Sequence, residues 1–261
     1  QPITVLPLKG DMSQLFSASF AVSLVYVSYA YSGWNASAYL ASEIANPRIN
    51  VPKSLFIGTF IVMLAYVFLN FIFLYTVPTA ELSNKVEIGY ISANFIFGKA
   101  VGGFMGMMIA LLLVSSISSM IFAGPRVTQV MGEDIPLLSR LAWQNKKGLP
   151  VAAIILQSII TLILIFTASF DSIIKYVGFT LSLFTFMTVL GVFVLRINRP
   201  NAERVYKAWG YPLTPIIFLS LTLWTLVFLM REQPVESLFG LGTVALGLVI
   251  YFVDVLLNKK S

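Results

Sequence analysis

Tyr29-Ala30-Tyr31-Ser32-Gly33-Trp34-Asn35 lies in the middle of an apolar stretch that runs from 16 to 40. Small and polar residues stand there with apolar, helix-compatible sequence on both sides. In hydrocarbon an unpaired backbone group is so costly that a helix is interrupted at that depth only where it lines a cavity. Ser32-Gly33 can leave the α-helical conformation at low cost, because glycine tolerates most backbone dihedrals. An interruption frees carbonyls of the outer half-helix and amides of the inner one. Carbonyls suit an ammonium and a helix N-terminus suits an anion, which makes Tyr29 to Asn35 a candidate site for a zwitterion. The same residues also admit a second reading, close packing of Gly33 against a neighbouring helix.

Composition puts this stretch in a bilayer. Of 261 residues, 58% are hydrophobic and 11% charged, and mean hydropathy is +0.88. A soluble domain is nearer half apolar and about a quarter charged. So few charges cannot coat a water-soluble body of 28.8 kDa, which excludes a soluble enzyme. The chain has no Cys and no His. Thiol nucleophiles, disulfides, zinc centres and histidine relays are excluded with them, and no cofactor or metal is expected. The net charge of +6 is spread between apolar runs, so it reads as orientation charge and not as a nucleic-acid surface.

A helix needs roughly 20 apolar residues to cross about 30 Å of hydrocarbon. Seven stretches qualify, near 16–40, 54–77, 100–123, 150–170, 173–196, 213–230 and 237–257. Barrel strands are half that length and alternate, which these do not. The start of the third span is blurred by Gly102, Gly103 and Gly106. Residues 78–99 read as a connection of mixed charge, and 124–149 and 197–212 as basic loops with room for short surface helices. The basic residues divide twelve to five between the two sides. Arg48, Lys53, Arg126, Arg140, Lys146, Lys147, Arg196, Arg199, Arg204, Lys207, Lys259 and Lys260 fall on the richer side, which should be cytoplasmic. Lys9, Lys85, Lys99, Lys175 and Arg231 fall on the other. The N-terminus is then outside and the C-terminus inside a plasma or inner membrane. The chain opens at Gln1 with no initiator Met and no signal region, and an odd number of helices ahead of Gln1 would fit that orientation.

Further motifs sharpen the reading. Downstream of the break come Glu43-Ile44-Ala45-Asn46-Pro47-Arg48 and Val51-Pro52-Lys53-Ser54, a signal to stop one helix and start another near Pro52. With Tyr31-Ser32-Gly33-Trp34-Asn35, this resembles the sixth-helix region of the amino acid–polyamine–organocation transporters, most closely their L-type amino acid transporter branch. Tyr176-Val177-Gly178-Phe179, with Arg196 and Arg199-Pro200, is similar to that family's tenth helix and its exit. Tyr206-Lys207-Ala208-Trp209-Gly210-Tyr211-Pro212-Leu213-Thr214-Pro215 is similar to its approach to the eleventh.

The resemblance implies an all-α integral membrane protein, the second half of a leucine-transporter-type inverted-repeat fold with its first helix broken. Residues 1–261 would be one membrane domain. Within it 16–196 would form the second five-helix repeat, and 213–257 two additional helices. It implies an amino acid permease or exchanger working by alternating access, with Tyr29 as an aromatic gate. Carbonyls of Tyr29, Ala30 and Ser32 would hold the substrate ammonium and Gly33 would be the hinge. The family's residue at the position of Ser32 is Gly, so the pocket here would be narrower. Helices one to five, with the glycine motif that takes the carboxylate, would be the partner half.

Other candidates are less specific. Ser115, Ser116 and Ser119 could supply hydroxyls to the pocket or a cation site, or simply bond between helices. Tyr176, Phe179 and Ser182 share a helix face; core packing is the plainer reading, and Phe179 is also carried as a pocket candidate. Trp143, Trp209 and Trp224 suit the membrane interface. No span carries an ionisable residue at its centre, which disfavours a proton relay in this chain and favours a neutral substrate. A seven-helix receptor shares the topology, but the third span lacks an acidic–Arg–aromatic ending. A channel would need a carbonyl filter or an acidic ring, and neither is visible.

Overall fold

A computed structural model describes residues 10–35, 37, 44–202, 204 and 208–258. Glu43, Tyr206, Lys207, Lys9, Lys259 and Lys260, named above, lie outside the described residues. Among those described, the regular structure is entirely helical. A short α1 (Asp11–Leu15) leads into α2 (Ala18–Ala30), which Ser17 caps by accepting from the Phe20 amide at 3.2 Å. A 3₁₀ turn, Ser32–Trp34, follows α2. Next come α3 (Pro47–Thr76), α4 (Thr79–Leu82), α5 (Ile88–Asp134), a 3₁₀ segment (Pro136–Ala142) and α6 (Val151–Thr167). The chain ends with α7 (Phe170–Asn198), α8 (Leu213–Glu232) and α9 (Pro234–Asn258).

Five of these, α3, α5, α7, α8 and α9, are long and apolar enough to cross a membrane singly. The other two expected spans are shorter. Helix α6 has 17 residues, about 25 Å at the α-helical rise and still within the usual range. Helix α2 has 13 residues because it stops at the break.

The boundaries differ from expectation in three places, each for a local reason. Asn46-Pro47 opens α3, five residues before Pro52: Asn46 adopts a left-handed conformation (φ 48°) and Pro47 takes the first position, where its missing N–H costs nothing. Pro52 is therefore inside α3. The connection 78–99 is itself largely helical. Its second half, 88–97, reverses at Gly98 (φ 78°, ψ 170°) and lies back against 99–134. The glycines at 102 and 106 do not loosen that helix; they make room for its neighbour. A Cβ at Gly102 would sit 2.0 Å from Asn94 Oδ1, and one at Gly106 would sit 2.9 Å from the Tyr90 ring.

The core lies where α2, α7 and α8 meet, built of Val25, Phe179, Leu226 and Leu229, with Leu183, Phe186 and Leu241 packed on it. Two glycines on α7 and α9 set the spacing. A Cβ at Gly178 would meet Val25 Cγ1 at 2.3 Å, and one at Gly240 would meet the Phe179 ring at 2.6 Å. Polar ties close both ends of the bundle. At one end Tyr26 donates to Asp171, which also pairs with Lys175, and Ser172 donates to Glu236 at 3.1 Å. At the other, Arg196 lies 3.5 Å over the Tyr211 ring, and the Leu137 amide donates to Asp254 at 2.8 Å. By contrast α3 buries none of its residues, so its apolar surface faces whatever surrounds the chain.

Candidate functional site

The break is formed by four residues. Helix α2 ends at Tyr31 (φ −95°, ψ 4°), whose amide still donates to the Val27 carbonyl at 3.1 Å. The tighter 3₁₀ turn then carries the chain through Ser32, Gly33 and Trp34, and Asn35 is again right-handed helical (φ −59°, ψ −32°). The Ser32 hydroxyl donates to the Tyr29 carbonyl at 2.7 Å, and Ser37 donates to Trp34 at 2.7 Å. Both serines thus satisfy carbonyls around the turn, as small hydroxyl residues do where a membrane helix is distorted. Among the described residues nothing comes within 4 Å of a Cβ built on Gly33.

The turn opens on two sides. Toward α7 and α8 lies a cleft of about 400 Å³, lined by Tyr29, Tyr31, Ser32, Trp34 and Asn35 from the break. Gly178, Ser182 and Thr185 of α7, Thr222 and Thr225 of α8, and Thr59 of α3 complete its wall. Toward α3 a second cleft of about 370 Å³ takes Ala30, Gly33 and the other faces of Tyr31 and Trp34, against Ser54, Gly58 and Tyr66. The Tyr31 and Tyr66 rings meet edge to face at 5.2 Å. Neither cleft is lined by Asp, Glu, Lys or Arg. All seven residues from Tyr29 to Asn35 therefore border open space, and Tyr29 is 42% exposed.

The remaining candidates divide. Ser182 reaches the larger cleft, but Phe179, one turn earlier, is 1% exposed in the core and lines neither cleft. The reason is the α9 glycine beside it, which accepts the ring. Tyr176 bonds Thr243 of α9 at 2.9 Å. Ser115, Ser116 and Ser119 lie on an exposed stretch of α5 and border neither cleft; Ser119 donates to its own helix at the Ser115 carbonyl, 3.1 Å away. Trp224 packs between Phe20 and Phe228, whereas Trp209 and Trp143 are exposed. Thr59, Thr185, Thr222 and Thr225 escaped the sequence reading. The spacing of Thr222 and Thr225, three apart on one helix face, was the available signal.

Comparison with known proteins identifies the family. Residues 7–252 match the family described as amino acid permease. The chain is 31% identical over 247 residues to the large neutral amino acids transporter small subunit 2 of Homo sapiens, covering 92% of this chain and 44% of that protein. It is 28% identical to the b(0,+)-type amino acid transporter 1 of Mus musculus, over 90% of this chain and 48% of that protein. It is also 28% identical to the Asc-type amino acid transporter 1 of Mus musculus, over 92% and 45%. These relatives are transporters and not enzymes, and the chain spans about half their length. With a family match over nearly all of its residues and a helical, membrane-crossing architecture, this chain is a member of the amino acid permease family.

Proposed function

We propose that this chain provides the substrate-bearing half of a secondary transporter that moves neutral amino acids across the plasma or inner membrane by alternating access. The observation that carries the reading is the interruption of the helix at 31–34, facing a cleft with no ionisable side chain on its walls. A zwitterion there has backbone dipoles for both charges, and a neutral side chain meets no uncompensated charge. The names of the relatives, one of them a transporter of large neutral amino acids, support the same substrate class. Residues 16–196 act as the second five-helix repeat and 213–257 as two added helices. The partner half, helices one to five, packs over the exposed faces of α3 and α5, where Ser115, Ser116 and Ser119 stand. The N-terminus of this chain is outside and its C-terminus cytoplasmic.

The test is uptake of radiolabelled neutral amino acids by the full-length polypeptide, wild type against Gly33→Leu. Leucine has open space around position 33, so the chain keeps its packing while the side chain fills the gap at the break. Uptake per surface-expressed molecule should fall to background. Normal uptake by Gly33→Leu means that substrate does not sit there.

A further inference from the structure

The far wall of the larger cleft is made of hydroxyls whose protons are already spent. Thr185 donates to the Leu181 carbonyl at 2.8 Å, Thr222 to the Phe218 carbonyl at 2.8 Å, and Thr225 to the Leu221 carbonyl at 3.0 Å. Each hydroxyl has one proton and two lone pairs. Donation back along its own helix leaves only lone pairs for the cleft, so α7 and α8 present acceptors there. Ser28 and Ser182, on the same lining, can turn their hydroxyls either way. Leu24, Val27, Leu181, Phe218 and Leu221 supply apolar surface between them. A purely apolar group in this cleft leaves the acceptors without partners, and a carboxylate meets lone pairs. An uncharged group with an N–H or O–H satisfies both the acceptors and the apolar surface.

We infer that the chamber between α7 and α8 receives the substrate's side chain and selects neutral amino acids that carry a hydrogen-bond donor, a hydroxyl or a carboxamide, over apolar ones of the same shape. This rests on the proposed placement of substrate at the break and adds the element that reads the side chain. Helix α8 thereby takes part in recognition although it lies outside the proposed repeat.

Threonine and valine have nearly the same shape and differ in the hydroxyl, which makes them the probe pair. With the full-length polypeptide in proteoliposomes, threonine should be taken up with kcat/KM roughly fivefold above valine, the value of one modest hydrogen bond. Replacing all three acceptors (Thr185→Val, Thr222→Val and Thr225→Val) should bring the threonine-to-valine ratio close to one, and serine at the same three positions should restore it. Equal handling of threonine and valine by the wild type overturns the inference, whatever the variants do. That result alongside sodium-dependent uptake would assign the acceptors to a cation. Absence of all amino acid uptake overturns the permease reading itself, so the two failures are told apart.

Discussion

At the scale of single residues, the break depends on what each side chain does with its neighbours. Ser32 turns its proton onto the carbonyl of Tyr29, one of the groups that the family resemblance assigns to the substrate ammonium. On the proposed reading, serine at this place would narrow the site and compete with substrate for that carbonyl. Tyr29 borders the larger cleft with much of its ring uncovered. If the ring shields bound substrate, Tyr29→Phe should transport at about the wild-type rate, and Tyr29→Ala should lose most of its turnover. Uptake rate divided by surface expression checks this, and an alanine variant as fast as wild type would show that Tyr29 is no gate. Gly178 makes a different kind of prediction. A methyl there collides with Val25, a fully buried and stiff side chain, so Gly178→Ala should lower stability by about 1–3 kcal/mol. Adding Val25→Ala removes the colliding methyl and should recover part of that loss. Thermal denaturation of the purified protein, read as a double-mutant cycle, measures the coupling.

Among the elements, the sequence was most legible where the bilayer imposes one length. Spans α6, α7, α8 and α9 fall within about three residues of their expected positions, because some 20 apolar residues admit few alternatives. The break was legible as well, from a Ser-Gly pair that would otherwise be placed poorly in mid-membrane. The hairpin at Gly98 was not. Residues 78–99 look like a mixed-charge connection, and 88–97 rest on a surface supplied by 99–134, which no local pattern announces. Nor did i, i+3 spacing decide the fates of Phe179 and Ser182. Helix α7 is packed on several sides, so neighbours one turn apart serve the core and the cleft respectively. The hairpin is testable. Gly102→Val places carbon on top of Asn94 and should pry 88–97 from 99–134. Limited proteolysis from the side carrying residues 78–97 should then cut within that segment at least several-fold faster than in wild type.

For the whole molecule, the polar ties sort the helix ends into two groups. One carries Tyr26, Asp171 and Glu236, and the other Leu137, Asp254, Arg196 and Tyr211. In the proposed orientation the second group is the cytoplasmic one, since most of the basic residues lie in its loops. These 261 residues contain no cysteine, so Lys146→Cys adds the one reporter within them. An impermeant thiol reagent should leave it unlabelled in intact cells and label it once they are opened. Labelling from outside would invert the topology.

The short length of α2 has a consequence during biosynthesis. Each of the five long helices is apolar enough to leave the translocation channel for lipid on its own, and assembly can follow later. The thirteen residues of α2 cover only about 20 Å before the turn, and their anchoring partners are far downstream: Tyr26 and Asp171 are separated by 145 positions. That tie can therefore form only after the ribosome has completed α3 to α6. Substitutions at Val25, Gly178 or Tyr26 then act first on the yield of correctly inserted protein, and cellular quality control encounters their effect before any substrate does.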